Sequence, residues 1–446
     1  MRPLHGSDVF HLREEQRGRP AHTLKVAVLA PGTGPLDADE LAHWAAGTLR
    51  DRAPFRWLLT TGTAHLGRPV WVEAEAEADQ VVRRTLAEPD PETALAALLG
   101  DLAGDVLPRH RPLWRLWVVD GLADDQIALV LQMHHALADG AASVQIWEEL
   151  FDGTGADAAP SVARRPGPAL PAAVRRHGRS LRDLPALLAR LRAHGAAEKA
   201  QPEGPGRTAT YFEAPPLAFN QLPSADRICA FATLPLAGLQ QVRQGLGGTV
   251  NDVYGALCAG ALRAYLMERG GLPEVSLTAT TPVGLDRQGR PYGNAMTTWF
   301  VRLGTDEADP QARFVAVRAS LAAARSLQER DPSLLHDLQE HTRLYDLIWR
   351  SLGLAERRKG RPTFNLVMSN VRGPEPLAWR GHPVVALRSL GPLTGRMGLN
   401  LTAWSYGEDF TVGLHACRDQ LPDLSRLAEL LVAELDVLIA AGQRES

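Results

Sequence analysis

A continuous apolar run that ends in two adjacent histidines constrains this chain more than any other feature. Residues Gln126–Met133 have the composition of a buried β-strand, and His-His-Ala-Leu-Ala-Asp-Gly follows over residues 134–140. The stretch 141–150 then repeats its apolar side chains with the spacing of a helix. We therefore expect both histidines at a strand end, where the sheet holds a side chain rigidly and the next loop leaves room for a ligand.

The residue types in this motif suit proton transfer. Histidine is a natural general base near neutral pH, and Asp139 can either orient a histidine ring or pin the loop. Gly140 permits a backbone turn that a side chain would obstruct. Adjacent residues of an extended chain point to opposite sides, so only one of the two histidines can face a given cavity. The alternative is that both are hydrogen-bonded structural histidines, as is common beside apolar strands.

Length and composition exclude several classes of protein. The chain has 446 residues, a hydrophobic fraction of 45% and a net charge of −3, which gives it no nucleic-acid signature. Its three cysteines, at positions 229, 258 and 417, are widely separated, and this is typical of a reducing compartment. No apolar run is long enough to span a membrane, and no secretory signal is evident. We expect a cytoplasmic protein.

The chain divides into two lobes and a linker. The predicted first lobe covers residues 1–155, and a second lobe covers 211–446. The linker between them, 156–210, is rich in proline and alanine and is expected to contain one helix over 179–194. Between positions 161 and 200 it carries nine Arg or Lys residues against two acids, and its leucines share one face. This helix either packs across the lobes or lies on an anionic membrane or lipid droplet.

Hydrophobic periodicity predicts the remaining elements. In the first lobe these are strands over 24–29, 56–59, 70–73 and 115–119 and helices over 37–50 and 91–106. In the second lobe they are strands over 228–234, 277–282, 297–303, 364–369, 399–404 and 410–414, and helices over 251–268, 308–329, 334–352 and 423–440.

Several short motifs occur one after another along the chain. They are Pro3-Leu4 with Asp8 and Phe10, Arg111-Pro112-Leu113-Trp114, the motif at 134–140, Asn220, Val250-Asn251-Asp252-Val253, Thr281-Pro282-Val283, Gly293-Asn294, Ser369-Asn370-Val371-Arg372-Gly373-Pro374 and Ser405-Tyr406. Each motif is weak alone, but their order and spacing resemble the bacterial wax ester synthase/diacylglycerol acyltransferase family over nearly the whole chain.

This resemblance implies a fold and a reaction. The fold would be α/β (α+β) with two lobes, similar to chloramphenicol acetyltransferase and peptide-synthetase condensation domains, and with a central tunnel between the lobes. Acyl-CoA would enter one mouth of the tunnel and a long-chain alcohol or diacylglycerol the other. The products would be wax esters or triacylglycerols. Acyl-CoA is a substrate in this chemistry, and we expect no separate cofactor.

The resemblance also implies roles for individual residues. His135 would be the general base that takes the proton of the attacking hydroxyl, and His134 is expected to pack structurally. Ser369 and nearby backbone N–H groups are candidates to stabilise the oxyanion. Asp139 would pair with Arg287 and thereby fix the loop.

Other motif residues have a structural alternative. Asn370 and Asn251 are candidates to bind substrate. Asp252 either shapes the cavity or caps a buried helix. Trp114 is expected to support the core. No histidine or cysteine cluster has the spacing of a metal site.

Two further functions remain open at this stage. Arg372 stands where the family commonly has proline, and this departure leaves the choice of substrate uncertain. One alternative is an acyltransferase of specialised metabolism that uses an acyl carrier protein or a small acceptor. The other is a lipid-binding protein without catalysis, although a binding protein has no need of the intact His135 and Asp139.

Overall fold

The computed structural model describes residues 2–15, 19–50, 52–60, 68–74, 78–87, 89–152, 170–204, 206–287 and 289–444. Residues 156–169 of the predicted linker lie outside the described residues. The elements up to residue 152 are β1 Arg2–Pro3, α1 Gly6–Glu14, β2 His22–Leu29, α2 Ala38–Arg50, β3 Trp57–Thr60, β4 Val70–Glu73, β5 Val81–Thr85, α3 Pro91–Gly104, β6 Trp114–Asp120, β7 Ile127–His134 and α4 Gly140–Asp152.

The remaining described elements begin with the long linker helix. They are α5 Leu170–Lys199, β8 Arg227–Pro235, α6 Leu236–Leu246, α7 Val250–Glu268, β9 Thr278–Gly284, β10 Met296–Arg302, α8 Pro310–Glu329, α9 Leu334–Glu340, α10 Thr342–Lys359, β11 Leu366–Arg372, β12 Ala378–Trp379, β13 His382–Leu390, β14 Leu399–Tyr406, β15 Asp409–Cys417 and α11 Leu424–Gln443.

Each lobe is built on a six-stranded sheet. The first has the strand order β12-β13-β2-β7-β6-β5 and the second β10-β9-β11-β14-β15-β8. Every residue of the central strands β2 and β7 is buried, which explains why the strand before the histidines is a continuous apolar run. The predicted two-lobed α/β architecture is thereby confirmed.

One segment from the second lobe's part of the chain belongs to the sheet of the first lobe. Strands β12 and β13 lie within the range predicted for the second lobe, but β13 pairs with β2 in the first lobe's sheet. The chain then returns to the second sheet as β14. Tyr406 anchors this crossing, because its hydroxyl accepts a hydrogen bond from Leu377 N at 2.7 Å and donates one to Val384 O at 3.1 Å. At Gly413 a Cβ would lie 2.1 Å from the Ser389 carbonyl oxygen, so the close approach of the two sheets requires glycine there.

Helices α5, α9 and α10 form a separate apolar cluster at one side of the lobes. Leu187 of α5 is buried against Leu334, Leu338 and Tyr345. The prediction of one continuous helix over 334–352 is wrong, because His341 has φ −82° and ψ 61° and separates α9 from α10. The predicted linker helix is present but extends over 170–199. Among the described residues, no helix is long and apolar enough to cross a bilayer.

Candidate active site

A cavity of about 480 Å³ lies between the two lobes. Of the residues predicted to form the site, five line it: His135, Asp139, Gly140, Ser369 and Asn370. One end is apolar and is walled by α1, α9 and α10, which contribute Phe10, Leu335, Leu338, Tyr345, Ile348, Trp349 and Leu352. Another part of the wall is polar and is formed by the strands, which contribute Thr23, Lys25, Asn400 and Thr402. The cavity therefore suits a substrate with a long apolar tail and a polar reacting group.

The two histidines face opposite sides of the strand end, as expected from the alternation of an extended chain. The His135 side chain lines the cavity, and its backbone N–H donates to the Ala21 carbonyl at 2.8 Å. His134 is fully buried behind it. Its Nδ1 accepts a hydrogen bond from Ala136 N at 3.0 Å, and its Nε2 lies 3.3 Å from Glu15 Oε2. The contacts of His134 therefore stabilise the turn that carries His135.

Asn294 fixes the proton on the His135 ring. The Asn294 side-chain NH₂ donates to the His135 carbonyl at 2.7 Å and to Asp8 Oδ1 at 2.9 Å. Because both partners are acceptors, the amide orientation is determined and its oxygen must face His135 Nδ1, at 2.9 Å. A neutral His135 then carries its proton on Nδ1. The lone pair needed for proton abstraction is left on Nε2.

Asp8 holds Asn294 in this orientation. The backbone N–H of Asn294 donates to Asp8 Oδ1 at 2.9 Å, and the backbone N–H of His5 donates to Asp8 Oδ2 at 3.1 Å. Gly293, just before Asn294, has φ +82°, a conformation that favours glycine and turns the chain toward Asp8. Burial raises the pKa of Asp8, whereas the hydrogen bonds from Asn294 oppose that rise. His135 is therefore oriented by a chain of contacts that begins in helix α1.

Burial and a nearby cation keep His135 neutral. Desolvation, and next the charge of Lys25, lower the pKa of His135 from its ordinary 6.5 to about 4. The His11 ring stacks on the His135 ring with their centroids 4.2 Å apart. Burial lowers the pKa of His11 well below its ordinary value, so this ring is neutral too. At neutral pH His135 is therefore a free base rather than an imidazolium.

Asp139 pins the loop through four hydrogen bonds. Arg287 Nη1 lies 2.8 Å from both carboxylate oxygens, as the resemblance implied. The backbone N–H groups of Ala142 and Ala295 donate to the same carboxylate at 2.9 and 2.8 Å. None of the described hydrogen bonds of Asp139 reaches the His135 ring. Of the two roles expected for Asp139, the geometry fits the pinning of the loop.

The reason for glycine at position 140 differs from the one expected. Gly140 begins α4 and packs against β11, and a Cβ there would lie 2.6 Å from Val371 Cγ2. Its backbone is not in the left-handed region that would require glycine for a turn. The constraint is therefore close packing between the lobes.

The other predicted residues lie at or behind the cavity wall. Ser369 and Asn370 belong to β11, and Asn370 donates to Oδ1 of Asn251, an exposed residue that does not line the cavity, at 2.7 Å. Asp252 does not line the cavity; it accepts hydrogen bonds from Thr249 N and Oγ1 in the capping box of α7. Trp114 is buried and donates to the Phe55 carbonyl at 2.8 Å. The structural alternatives for Asp252 and Trp114 are the ones observed.

Sequence reasoning gave no role to four residues that shape the site. Asp8 and Asn294 appear in the motifs. Asn294 lies 159 residues from His135 in the sequence, so no local pattern could indicate that the two side chains are in contact. His11 lies in the short helix α1, in which no sequence pattern marks it. Lys25 did carry a signal, because it is a charged residue in the middle of the apolar run 22–29.

Replacing Asp139 by Asn should destabilise the protein, because the Arg287 guanidinium would lose its carboxylate partner. Breaking a buried ion pair costs about 3–5 kcal/mol, and the partial exposure of Arg287 places this case at or below the lower limit, about 3 kcal/mol. Urea denaturation would measure the change in the free energy of unfolding. Activity should fall together with stability.

The exposed Asp436 on α11 provides the matched control, and Asp436→Asn should leave the free energy of unfolding unchanged. If Asp139→Asn retained full stability and lost only its rate of reaction, Asp139 would act on His135 rather than on the loop.

The chain was also compared with known proteins. The profile of the wax ester synthase/diacylglycerol acyltransferase catalytic domain matches residues 4–254, and the C-terminal domain of the same family matches residues 292–438. A protein of Mycobacterium tuberculosis named as a diacylglycerol O-acyltransferase is 34% identical over 96% of this chain and 88% of its own length. A second relative with that name from the same species is 33% identical over 100% and 98%.

Solved structures extend the comparison to the fold. The wax ester synthase/diacylglycerol acyltransferase of Marinobacter aquaeolei superposes with a TM-score of 0.74 at 26% identity, covering 99% of this chain and 100% of the other. The first condensation domain of the CDA synthetase has a TM-score of 0.62 at 18% identity, covering 99% and 96%, and so shares the fold. The protein is an acyltransferase and belongs to the wax ester synthase/diacylglycerol acyltransferase family.

Proposed function

We propose that this acyltransferase moves a fatty acyl group from acyl-CoA to the hydroxyl of a long-chain alcohol or a diacylglycerol, with His135 as the general base. The observation that carries the proposal is the His135 ring, which lines the cavity as a neutral imidazole with its lone pair on Nε2. The apolar end of the cavity accommodates a long chain. A non-catalytic lipid-binding protein would have no need of a histidine held in this protonation state.

The reaction needs one proton acceptor and no covalent enzyme intermediate. Nε2 of His135 takes the hydroxyl proton as the hydroxyl oxygen attacks the thioester carbon. When the tetrahedral intermediate collapses, the carbon–sulfur bond breaks, and the same ring returns the proton to the departing thiolate. Asn294 accepts from Nδ1–H throughout and stabilises the transient imidazolium.

The oxyanion of the tetrahedral intermediate also needs hydrogen-bond donors. Ser369 is our candidate, because it belongs to β11 and lines the same cavity as the His135 ring. The adjoining Asn370 is held by Asn251 and lines the same wall.

Replacing each histidine in turn tests the assignment of the base. His135→Ala should lower kcat/KM by about 10²–10⁴-fold, the usual contribution of a general base, and leave the free energy of unfolding nearly unchanged. His134→Ala should instead cost about 1–3 kcal/mol of stability, because the Ala136 N–H would lose its buried acceptor. In wild type, kcat/KM should fall only below about pH 5, since protonation of His135 occurs near 4.

The assay follows CoA release and ester formation from palmitoyl-CoA with hexadecan-1-ol, with a diacylglycerol and without acceptor. An active His135→Ala beside a folded but inactive His134→Ala would reverse the assignment. Transfer only from an acyl carrier protein would replace the CoA donor, and the absence of turnover with every donor would favour lipid binding alone.

Asn294 is a positioning residue whose effect can be isolated with two variants of equal shape. Asn294→Thr retains an oxygen that can accept from His135 Nδ1–H, whereas Asn294→Val does not. Because only the hydroxyl distinguishes them, we expect Asn294→Val to have a kcat roughly 10²-fold below that of Asn294→Thr, with similar KM values. Equal kcat values in the two variants would remove the proposed role in selecting the tautomer.

A substrate with a long chain must be collected from a lipid phase, and the outer face of α10 is suited to that contact. This face exposes Leu347 and Leu354, which are 61% and 51% accessible. Five exposed cations accompany them: Arg343, Arg350, Arg357, Arg358 and Lys359. The inner face of the same helix forms the apolar end of the cavity. We propose that α10 rests on an anionic phospholipid surface.

The linker helix α5 has the same sequence character but a different environment. Its Leu187 and Leu191 pack against α9 and α10, and Arg190 is paired with Asp331 and Asp337. The leucine face on which lipid binding was expected from the sequence is therefore covered by protein at Leu187 and Leu191, whereas Leu181 is 71% accessible. This arrangement favours the alternative that α5 packs across the fold.

Vesicle co-sedimentation can separate the two helices. Changing Arg343, Arg350, Arg357 and Arg358 to Gln should weaken binding to anionic vesicles by at least about 10²-fold, because each cation near such a surface contributes about 1 kcal/mol. The matched variant removes four cations from α5, at Arg175, Arg179, Arg182 and Arg192, and should retain most of the binding. High salt should weaken binding of the wild type. Equal losses in both variants, or none, would contradict the assignment to α10.

A further inference from the structure

Lys25 is a buried cation on the wall of the substrate cavity. It lies in the middle of β2, where its side chain is 4% exposed. Nζ donates to Ser389 Oγ at 2.6 Å and lies 5.2 Å from the centre of the Trp404 ring. Within the described part of the chain, no carboxylate oxygen lies within 4 Å of Nζ. The ammonium therefore has one hydrogen-bond partner for its three N–H donors.

An ammonium in such a place is costly without an anion. Transfer of an unpaired charge from water into a protein interior is strongly unfavourable, and the usual response is a shift toward the neutral form. Burial lowers the pKa of Lys25 to about 7, and the charge of Asp139 opposes that shift. A bound anion would restore the charged form and recover the lost stabilisation.

The polar side chains near Lys25 already donate their hydrogen bonds to protein acceptors. Lys25 is therefore the main free hydrogen-bond donor at this part of the cavity wall. Thr23 Oγ1 donates to the Leu390 carbonyl at 3.0 Å. Thr402 Oγ1 donates to Asn400 Oδ1 at 2.6 Å, and Asn400 Nδ2 donates to the Pro392 carbonyl at 3.0 Å. These neighbours already donate to protein acceptors. A ligand here would therefore meet the free N–H groups of an ammonium.

The described contacts of Lys25 are with Ser389 and Trp404 rather than with the His135 ring. Lys25 pairs with Leu131 in the sheet, whereas His135 N is bonded to Ala21, four residues earlier in the chain. Their backbones are therefore separated along the strand, but the long Lys25 side chain brings its charge close enough to lower the pKa of His135. Nζ also leans toward Ser389 on β13, the neighbour of β2 on the side away from β7. Because Lys25 and His135 line the same cavity, an anion beside Lys25 would be a group of the bound substrate near the reacting hydroxyl but distinct from it.

We propose that Lys25 binds a carboxylate on the acyl acceptor, so that hydroxy acids with a long chain are acceptors in addition to neutral alcohols. This inference rests on the proposed function. The hydroxyl oxygen forms the new ester bond with the acyl carbon, and the thioester carbon–sulfur bond breaks. The hydroxyl proton passes through His135 to the thiolate, while the carboxylate stays unchanged beside Lys25.

The test uses two acceptors that differ only in charge, 3-hydroxyhexadecanoate and its methyl ester, with palmitoyl-CoA as donor. The measured quantity is the ratio of kcat/KM for the acid to kcat/KM for the ester. Lys25→Met should lower this ratio by roughly 10–100-fold, because a hydrogen bond to a charged group strengthens binding by about that factor. Lys199→Met, which removes an exposed lysine at the end of α5, should leave the ratio unchanged.

Several outcomes would overturn the proposal. An equal loss for acid and ester in Lys25→Met would make Lys25 a general contributor to the reaction. A wild-type enzyme that acylates the ester and hexadecan-1-ol but not the acid would refute the inference and leave the proposed function intact. Hexadecanoate competing as strongly as the hydroxy acid, without transfer to the latter, would assign Lys25 to free fatty acids. Failure with all acceptors would count against the proposed function itself.

Folding does not limit this test. Removing a buried ammonium in favour of a similar apolar side chain is often neutral or stabilising, so Lys25→Met should retain its unfolding temperature. Lys25→Gln, which is neutral but polar, serves as the second variant and should show the same fall in the ratio. A retained ratio in both folded variants would refute carboxylate binding.

Discussion

The active site depends on hydrogen bonds between the histidine loop of the first lobe and the segment 287–295 of the second. Gly293 N donates to the Leu137 carbonyl at 2.7 Å, and Arg287 pairs with Asp139. In the same segment, Asn294 contacts both the ring and the carbonyl of His135. The contacts that orient His135 are therefore complete only when the lobes are docked. The crossing of β13 into the first sheet fixes that docking through a second, independent connection.

This dependence explains why His135, the proposed general base, is supported by residues distant in sequence. Helix α1 provides Asp8 and His11, strand β2 provides Lys25, and the loop before β10 provides Asn294. Asn294 selects the tautomer of His135, and burial, helped by Lys25, lowers its pKa. The proposed general base must remain neutral until it receives the substrate proton, and these contacts meet that requirement.

The sequence predicted those features that have a local cause. The strand before the histidines is apolar except at Gln132, because every one of its residues is buried. The opposite directions of His134 and His135 follow from strand alternation, and the pairing of Asp139 with Arg287 follows from the family resemblance. Strand β13 was not predicted because its burial is irregular and a bulge interrupts its pairing between Val384 and Ala386. The break at His341 has neither glycine nor proline to mark it, so the pattern 334–352 resembles one helix.

The protonation state of His135 decides whether its ring can accept the substrate proton. Nitrogen-15 NMR of protein labelled at histidine, with His135→Ala to assign the signal, reports directly which ring nitrogen carries the proton. Between pH 6 and 8 we expect a neutral His135 with Nδ1 protonated and Nε2 bare. A spectrum of the imidazolium, or of the tautomer with the proton on Nε2, would contradict the proposed role of Asn294 and of burial.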